Sequence, residues 1–127
     1  PWALWGTLVI FSVATYTNLP EMIPQHFDAA GNATAWMPRS PWNWAMLPAI
    51  AVVILGGIAW TSKMLPTHPH RFNFSEKERF LRVPAAYRGP VIARMREMLD
   101  VTGAFTILVL FAVQVMIWRS ALGHRPG

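Results

Sequence analysis

Three side chains of the kinds used in acid–base chemistry lie close together in LPEMIPQHFDAAGNATAW, residues 19–36: Glu21, His26 and Asp28. A hydrolase could use such a set as acid, base and orienter, or as ligands of a zinc-bound water. In an extended strand His26 and Asp28 share a face, and a bend at Pro24 would carry Glu21 toward them. No HExxH helix, no GxSxG elbow and no suitably placed serine accompanies them. The expectation is therefore a structural histidine bonded to loop backbone, with no catalytic residue. His68 and His70 in THPHR offer two imidazoles in a proline-rich turn without a third ligand nearby, which reads as a solvated turn and not as a metal site. The chain has no cysteine, so thiolate metal sites, disulfides and cysteine nucleophiles are excluded. Neither a metal nor another cofactor is expected.

The elements that must position these residues are apolar. Of the 127 residues 54% are hydrophobic and 13% charged, about half the charge of an ordinary soluble domain. The composition predicts an all-α integral membrane protein, one membrane domain over residues 1–127. Its three transmembrane helices are expected over about 2–18, 41–62 and 98–118, with an outer loop at 19–40 and a cytoplasmic loop at 63–97. The chain opens on Pro1, and the expectation is that its true start lies upstream. The first apolar run lacks a basic flank and a cleavage site, so it reads as a membrane helix and not as a signal peptide.

Trp2, Trp5, Tyr16, Trp42, Trp44, Trp60 and Trp118 bracket the runs, as aromatic side chains do at a lipid–water boundary. Ser40 and Pro41 mark the start of the second helix, a capping hydroxyl followed by a residue suited to the first helical position. Pro48 removes the bond to the Trp44 carbonyl and predicts a kink there. Gly56 and Gly57 provide a smooth face for close helix packing, and Gln114, inside the third run, is expected to hydrogen-bond across to another helix. Charge sets the orientation. The first loop holds Arg39 against Glu21 and Asp28, whereas the second holds eight basic residues against four acids, Glu76, Glu78, Glu97 and Asp100. The positive-inside rule places the N-terminus inside and the C-terminus outside, with Arg119 and Arg125 as a weaker opposing signal.

The inner loop is patterned. Ser75 and Glu78 fit a capping box opening a short helix that Pro84 ends. Gly89 and Pro90 start a second, amphipathic helix with Val91, Ile92, Met95, Met98 and Leu99 on one face, continuous with the third span. Arg71, Arg79, Arg82, Arg88 and Arg94 are candidates for contact with anionic membrane lipids or a soluble partner protein, and Phe72, Phe74 and Phe80 add apolar contact. No nucleic-acid-binding motif accompanies the basic residues, and no nucleic acid is expected as a partner.

In the outer loop, Pro20 ends the first helix, Pro24 fixes an extended entry to His26, and the turn residues DAAGN, with Gly31 at positive φ, separate two short segments. A short hairpin is the expected outcome. Pro20, Ile23, Pro24, His26, Phe27, Gly31 and Trp36 together resemble the signature of SdpI-type bacterial membrane proteins, a Pro, then Ile-Pro-x-His-Phe/Trp, then a turn with Gly and an aromatic residue. The resemblance is specific over this stretch and extends loosely through the inner loop and third span. It implies a location in the bacterial inner membrane. Its best-understood members protect the producer from its own secreted toxic peptide and hold a transcriptional repressor at the membrane; they are longer, with further spans. In that setting the Asn32-Ala-Thr34 glycosylation sequon is a chance match. Two functions follow as expectations: immunity to a toxic peptide or sensing of an envelope ligand through the outer loop, or a structural accessory role in a larger membrane complex.

Overall fold

The computed structural model describes residues 1–74 and 76–123. The chain is mostly helical, with one two-stranded sheet. Helix α1 spans Trp2–Tyr16; strands β1 (Met22–Phe27) and β2 (Ala33–Pro38) follow; then come α2 (Pro41–Trp44), α3 (Met46–Met64), the short α4 (Lys77–Arg82) and α5 (Gly89–Gly123), with single 3-10 turns at Pro69–Arg71 and Ala85–Tyr87. Helices α1, α3 and α5 all pack against one another, and the hairpin packs on α5.

Two helices, α3 and α5, are long and apolar enough to cross a membrane. At about 1.5 Å per residue they measure about 28 and 52 Å, against about 30 Å for a bilayer core, while α1, with 15 residues, reaches about 22 Å. The expectation of three spans is thus met by length for two. Only 17% of the apolar window of α3 and of α5 is buried inside the chain, far less than a soluble core helix would show.

Inward faces follow a simple spacing. Along α5, Gly103, Ile107, Leu110, Gln114, Ile117 and Ala121 recur at intervals of four and three and are buried or half-buried. That is the seam of a helix packed lengthwise against neighbours. Opposite it lie Leu8 and Ser12 of α1 and Ala51 and Leu55 of α3. Helices α3 and α5 approach closely at Gly103, where an added Cβ would stand 3.3 Å from Leu55 Cδ2 and 3.4 Å from Ile58 Cδ1. No helix of this chain packs on Gly56 or Gly57: both are exposed, and a Cβ added at either would meet nothing within 4 Å, because the inward stripe of α3 runs through Ala51, Leu55 and Ile58.

Second-helix entry differs from a simple kink. Ser40 accepts from the Asn43 amide at 3.0 Å and Pro41 takes the first position, but the helix pauses at Ala45 and restarts at Met46. Pro48 has no N–H to give the Trp44 carbonyl. Gln114 Nε2 donates to that carbonyl instead at 3.0 Å and also to Ser12 Oγ at 3.1 Å, while Ser12 Oγ donates to Leu8 O. Trp44 Nε1 donates to the Ser12 carbonyl at 2.8 Å, and Trp5 Nε1 to the Pro48 carbonyl at 3.0 Å. One buried polar node thereby joins α1, α2 and α5, and a second bond ties α1 to α3. Trp44, at 4% exposure, is a core residue and not part of an interfacial belt; Trp2, Trp42 and Trp60 remain exposed.

Gln114→Leu leaves the Trp44 carbonyl without its donor and is expected to cost about 1 kcal/mol of stability. In a Pro48→Ala background, which restores a backbone donor nearby, that cost should shrink; equal costs in a denaturation double-mutant cycle would show that the two residues are not coupled.

Candidate functional site

The residues singled out by type in the sequence cluster on the β1–β2 hairpin. Its ladder pairs Met22 with Pro38, Ile23 with Met37, Pro24 with Trp36, His26 with Ala35 and Phe27 with Ala33. Register slips on either side of His26, so Gln25 on one strand and Thr34 on the other have no partner opposite them. Such bulges re-aim side chains. Alternation fails accordingly: Ile23 and Pro24 are both buried, and Gln25 and His26 are both exposed. In a two-stranded sheet every strand is an edge, which is why Pro24 and Pro38 are tolerated.

The buried side of the hairpin is the end of the bundle core. Leu19, Ile23, Trp44, Ile117 and Ala121 form one cluster, flanked by the half-buried Tyr16, Phe27, Met37 and Trp118. Burying Ile23 alone contributes about 2 kcal/mol. Arg39, which sequence reading treated only as a loop charge, secures the base. Its amide donates to the Glu21 carbonyl at 2.7 Å, its guanidinium Nη1 donates to the Leu19 carbonyl at 2.7 Å, and the guanidinium lies 5.8 Å from the Tyr16 ring centroid. Pro20 lies exposed between these anchors.

At the tip, Gly31 adopts φ +85°, the positive value that favours glycine. Asp28 Oδ1 accepts from the amides of Ala30 and Asn32, each at 2.9 Å, and its backbone pairs with Asn32 and Gly31. These bonds, the one from the Asn32 amide foremost, hold the Asp28 carboxyl below the ordinary carboxylate value of 3.8. Asp28 is thus engaged in building the turn. His26 is exposed and makes no hydrogen bond among the described residues, which overturns the reading of a histidine bonded to loop backbone; the slip in register is the cause. Among the described residues no three His, Asp or Glu side chains gather as a metal-holding group. His68 and His70 lie 6.1 Å apart by ring centroid, and His68 Nδ1 pairs with Thr67 Oγ1.

Residues 3–52 match the family model of a domain of unknown function, DUF1648. The DUF1648 match covers most of α1, the whole hairpin, α2 and the first turns of α3. No curated protein and no solved structure matches the chain. The matched segment therefore contains Ser12, Trp44 and the hairpin anchors, but not Gln114, their partner on α5.

At the opposite end of the bundle the basic residues divide into two groups. Arg88 is spent inside the chain: Nε donates to Val83 O and Nη2 to Leu81 O at 2.8 and 2.9 Å, and the guanidinium lies over the Phe80 ring. It closes the end of α4, and these bonds fix the direction of its guanidinium. Arg96, missed by sequence reading, donates twice to the Ser62 carbonyl near the end of α3. Arg79 and Arg94 make exposed ion pairs with Glu76 and Glu97 at 3.4 and 3.2 Å, and Arg71 and Arg82 are exposed. Phe80 is buried edge-on against Phe74, and Phe72 meets Trp60, so these rings pack against neighbouring aromatic residues. Helix α4 begins after Glu76; Ser75 of the expected capping box lies outside the described residues, as does Arg125.

Because the folded-state pKa of Asp28 is lowered, its contribution to the hairpin is complete above the ordinary carboxylate range and is lost as pH falls below 3.8 toward the folded value. Asp28→Ala should raise amide exchange at Ala30 and Asn32 several-fold at neutral pH and abolish its acid dependence; unchanged exchange would show that the carboxylate does not hold the turn.

Proposed function

We propose that the chain is a non-enzymatic, three-span protein of a bacterial inner membrane that presents its hairpin outside as a recognition element. On this reading the ligand is a toxic peptide or an envelope component, the role is immunity or sensing, and the affiliation is SdpI-like. The observation that carries it is the two-sided hairpin. Ile23 and Pro24 are fully buried against the bundle, while Gln25, His26 and the tip residues face outward from a rigid base. A side chain that contributes nothing to the fold and sits on a fixed strand is suited to meeting a ligand. The DUF1648 match over residues 3–52 includes the same hairpin.

Membrane residence is supported by the apolar exterior. Ile10 and Val13 on α1, Val53 on α3 and Phe105 on α5 are each about 70% exposed, and such a surface requires lipid or protein around it. Helix α1 is short, but its packing against α3 and α5 supports its inclusion in the same layer. The basic loop after α3 favours the cytoplasm for that end.

A second reading rests on a separate observation. Val53, Gly56, Gly57 and Trp60 share the outward face of α3, and the glycines leave room for a foreign helix, which supports an accessory subunit in a larger complex. Native purification separates the two: a stoichiometric membrane enzyme co-purifying through that face would replace the recognition role.

Cysteines placed at Ala30 and Ala85, both exposed, test the topology. An impermeant thiol reagent is expected to label intact cells at position 30 and not at 85; the reverse would invert the orientation. His26→Ala is expected to leave the amount of folded protein unchanged while abolishing protection against a toxic peptide. Loss of folded protein would instead make the histidine structural.

A further inference from the structure

The inner end of the bundle holds a groove of about 810 Å³, within the range of about 300–1,000 Å³ usual for ligand sites. The last turns of α3 and the first turns of α5 form one side, and α4 with the segment before it closes the other. Leu65, Phe72, Phe80, Val83, Met95 and Leu99 make its walls apolar, and Glu76 and Arg79 stand among its polar lining.

We propose that this groove takes one acyl chain of an anionic phospholipid, with the headgroup phosphate against Arg79. The inference rests on the membrane reading above. The two helices along one side are the two long enough to cross a bilayer, so the groove lies where they leave it, and a lipid chain enters without crossing water. Val91 and Met98, which also line it, are 44% and 64% exposed, apolar surface that the chain itself does not cover. Met95 and Met98 are unbranched and adapt to a flexible chain.

Charge selects the headgroup. Residues 63–97 carry eight basic side chains and three acidic ones, Glu76, Glu78 and Glu97. Lys77, Arg88 and Arg96 keep their charge but aim their donors at backbone carbonyls. Among the described residues Arg79 is held only by Glu76, at 3.4 Å, with both side chains more than 70% exposed. An ion pair of that kind is weak, and the phosphodiester of a phospholipid offers two non-bridging acceptor oxygens in its place. A zwitterionic lipid brings its own cation to the same basic surface and is disfavoured there.

The full chain reconstituted in phosphatidylcholine vesicles containing a minority of phosphatidylglycerol, with a photoreactive diazirine on the acyl chain, tests this directly. Crosslinks mapped by mass spectrometry are expected at Phe80, Met95 and Leu99 as well as on the outer face of α5 at Phe105 and Leu108. Met95→Trp should reduce the groove labels several-fold and leave those at Phe105 and Leu108 unchanged. Arg79→Glu, an exposed change, should remove a several-fold preference for the phosphatidylglycerol probe over its phosphatidylcholine counterpart. Labels on the outer face alone, or a groove filled by another protein segment, would overturn the proposal while leaving the membrane reading intact. No label on α3 or α5 would overturn both, and an unchanged lipid preference in Arg79→Glu would overturn the headgroup assignment.

Discussion

The backbone carbonyl of Trp44 is where this fold is decided. Pro48 deprives it of the donor that a regular helix supplies, and a buried carbonyl without a donor is costly, most of all in an apolar medium. Gln114 meets it from α5, seventy residues later, and the same amide reaches Ser12 on α1. An apolar helix pair can rotate or slide with little penalty, since one leucine face resembles another. A primary amide with fixed donors and a carbonyl with one open position have a single register. The polar node therefore selects which faces of α1, α2 and α5 meet, and the seam of small and aliphatic residues along α5 packs in the register so chosen.

The charged residues follow a related rule. Carbonyls at and just beyond helix ends lack intrahelical partners, and here arginines fill several of them. Arg39 meets the Leu19 carbonyl beyond α1, Arg96 the Ser62 carbonyl near the end of α3, and Arg88 the Leu81 and Val83 carbonyls closing α4. Each fixes a connection: the end of the hairpin to the chain leaving α1, the residue before α5 to the end of α4, and α5 to α3. The acceptors are neutral, so these arginines keep their charge while their orientation is fixed.

Local chemistry was legible in the sequence; distant chemistry was not. The Ser40 cap, Pro41 at the helix start, Gly31 in the turn and the Gly89–Pro90 helix start depend on neighbours along the chain, and residue type alone identifies them. Trp44 and Trp118 sit at the ends of apolar runs and read as interfacial, because nothing nearby in sequence reveals that the Trp44 indole reaches Ser12. Gly56 and Gly57 drew attention over Gly103 for a similar reason: in a helix that is apolar all round, a glycine does not announce which face turns inward. The outward, unbonded side chain of His26 was not legible, because a bulge cannot be seen in a strand whose alternation is already weak. Three runs were recognised as apolar, but only two helices have the length of a crossing.

Helix α5 links the two ends of the molecule. It runs without interruption from the groove beside α4 to the cluster under the hairpin, and its only proline, Pro90, stands at its start. A continuous helix with no break in its hydrogen bonding tilts more readily than it bends. Gly103 seats on Leu55 between those two ends, so the groove and the strands share one uninterrupted helix as a common wall.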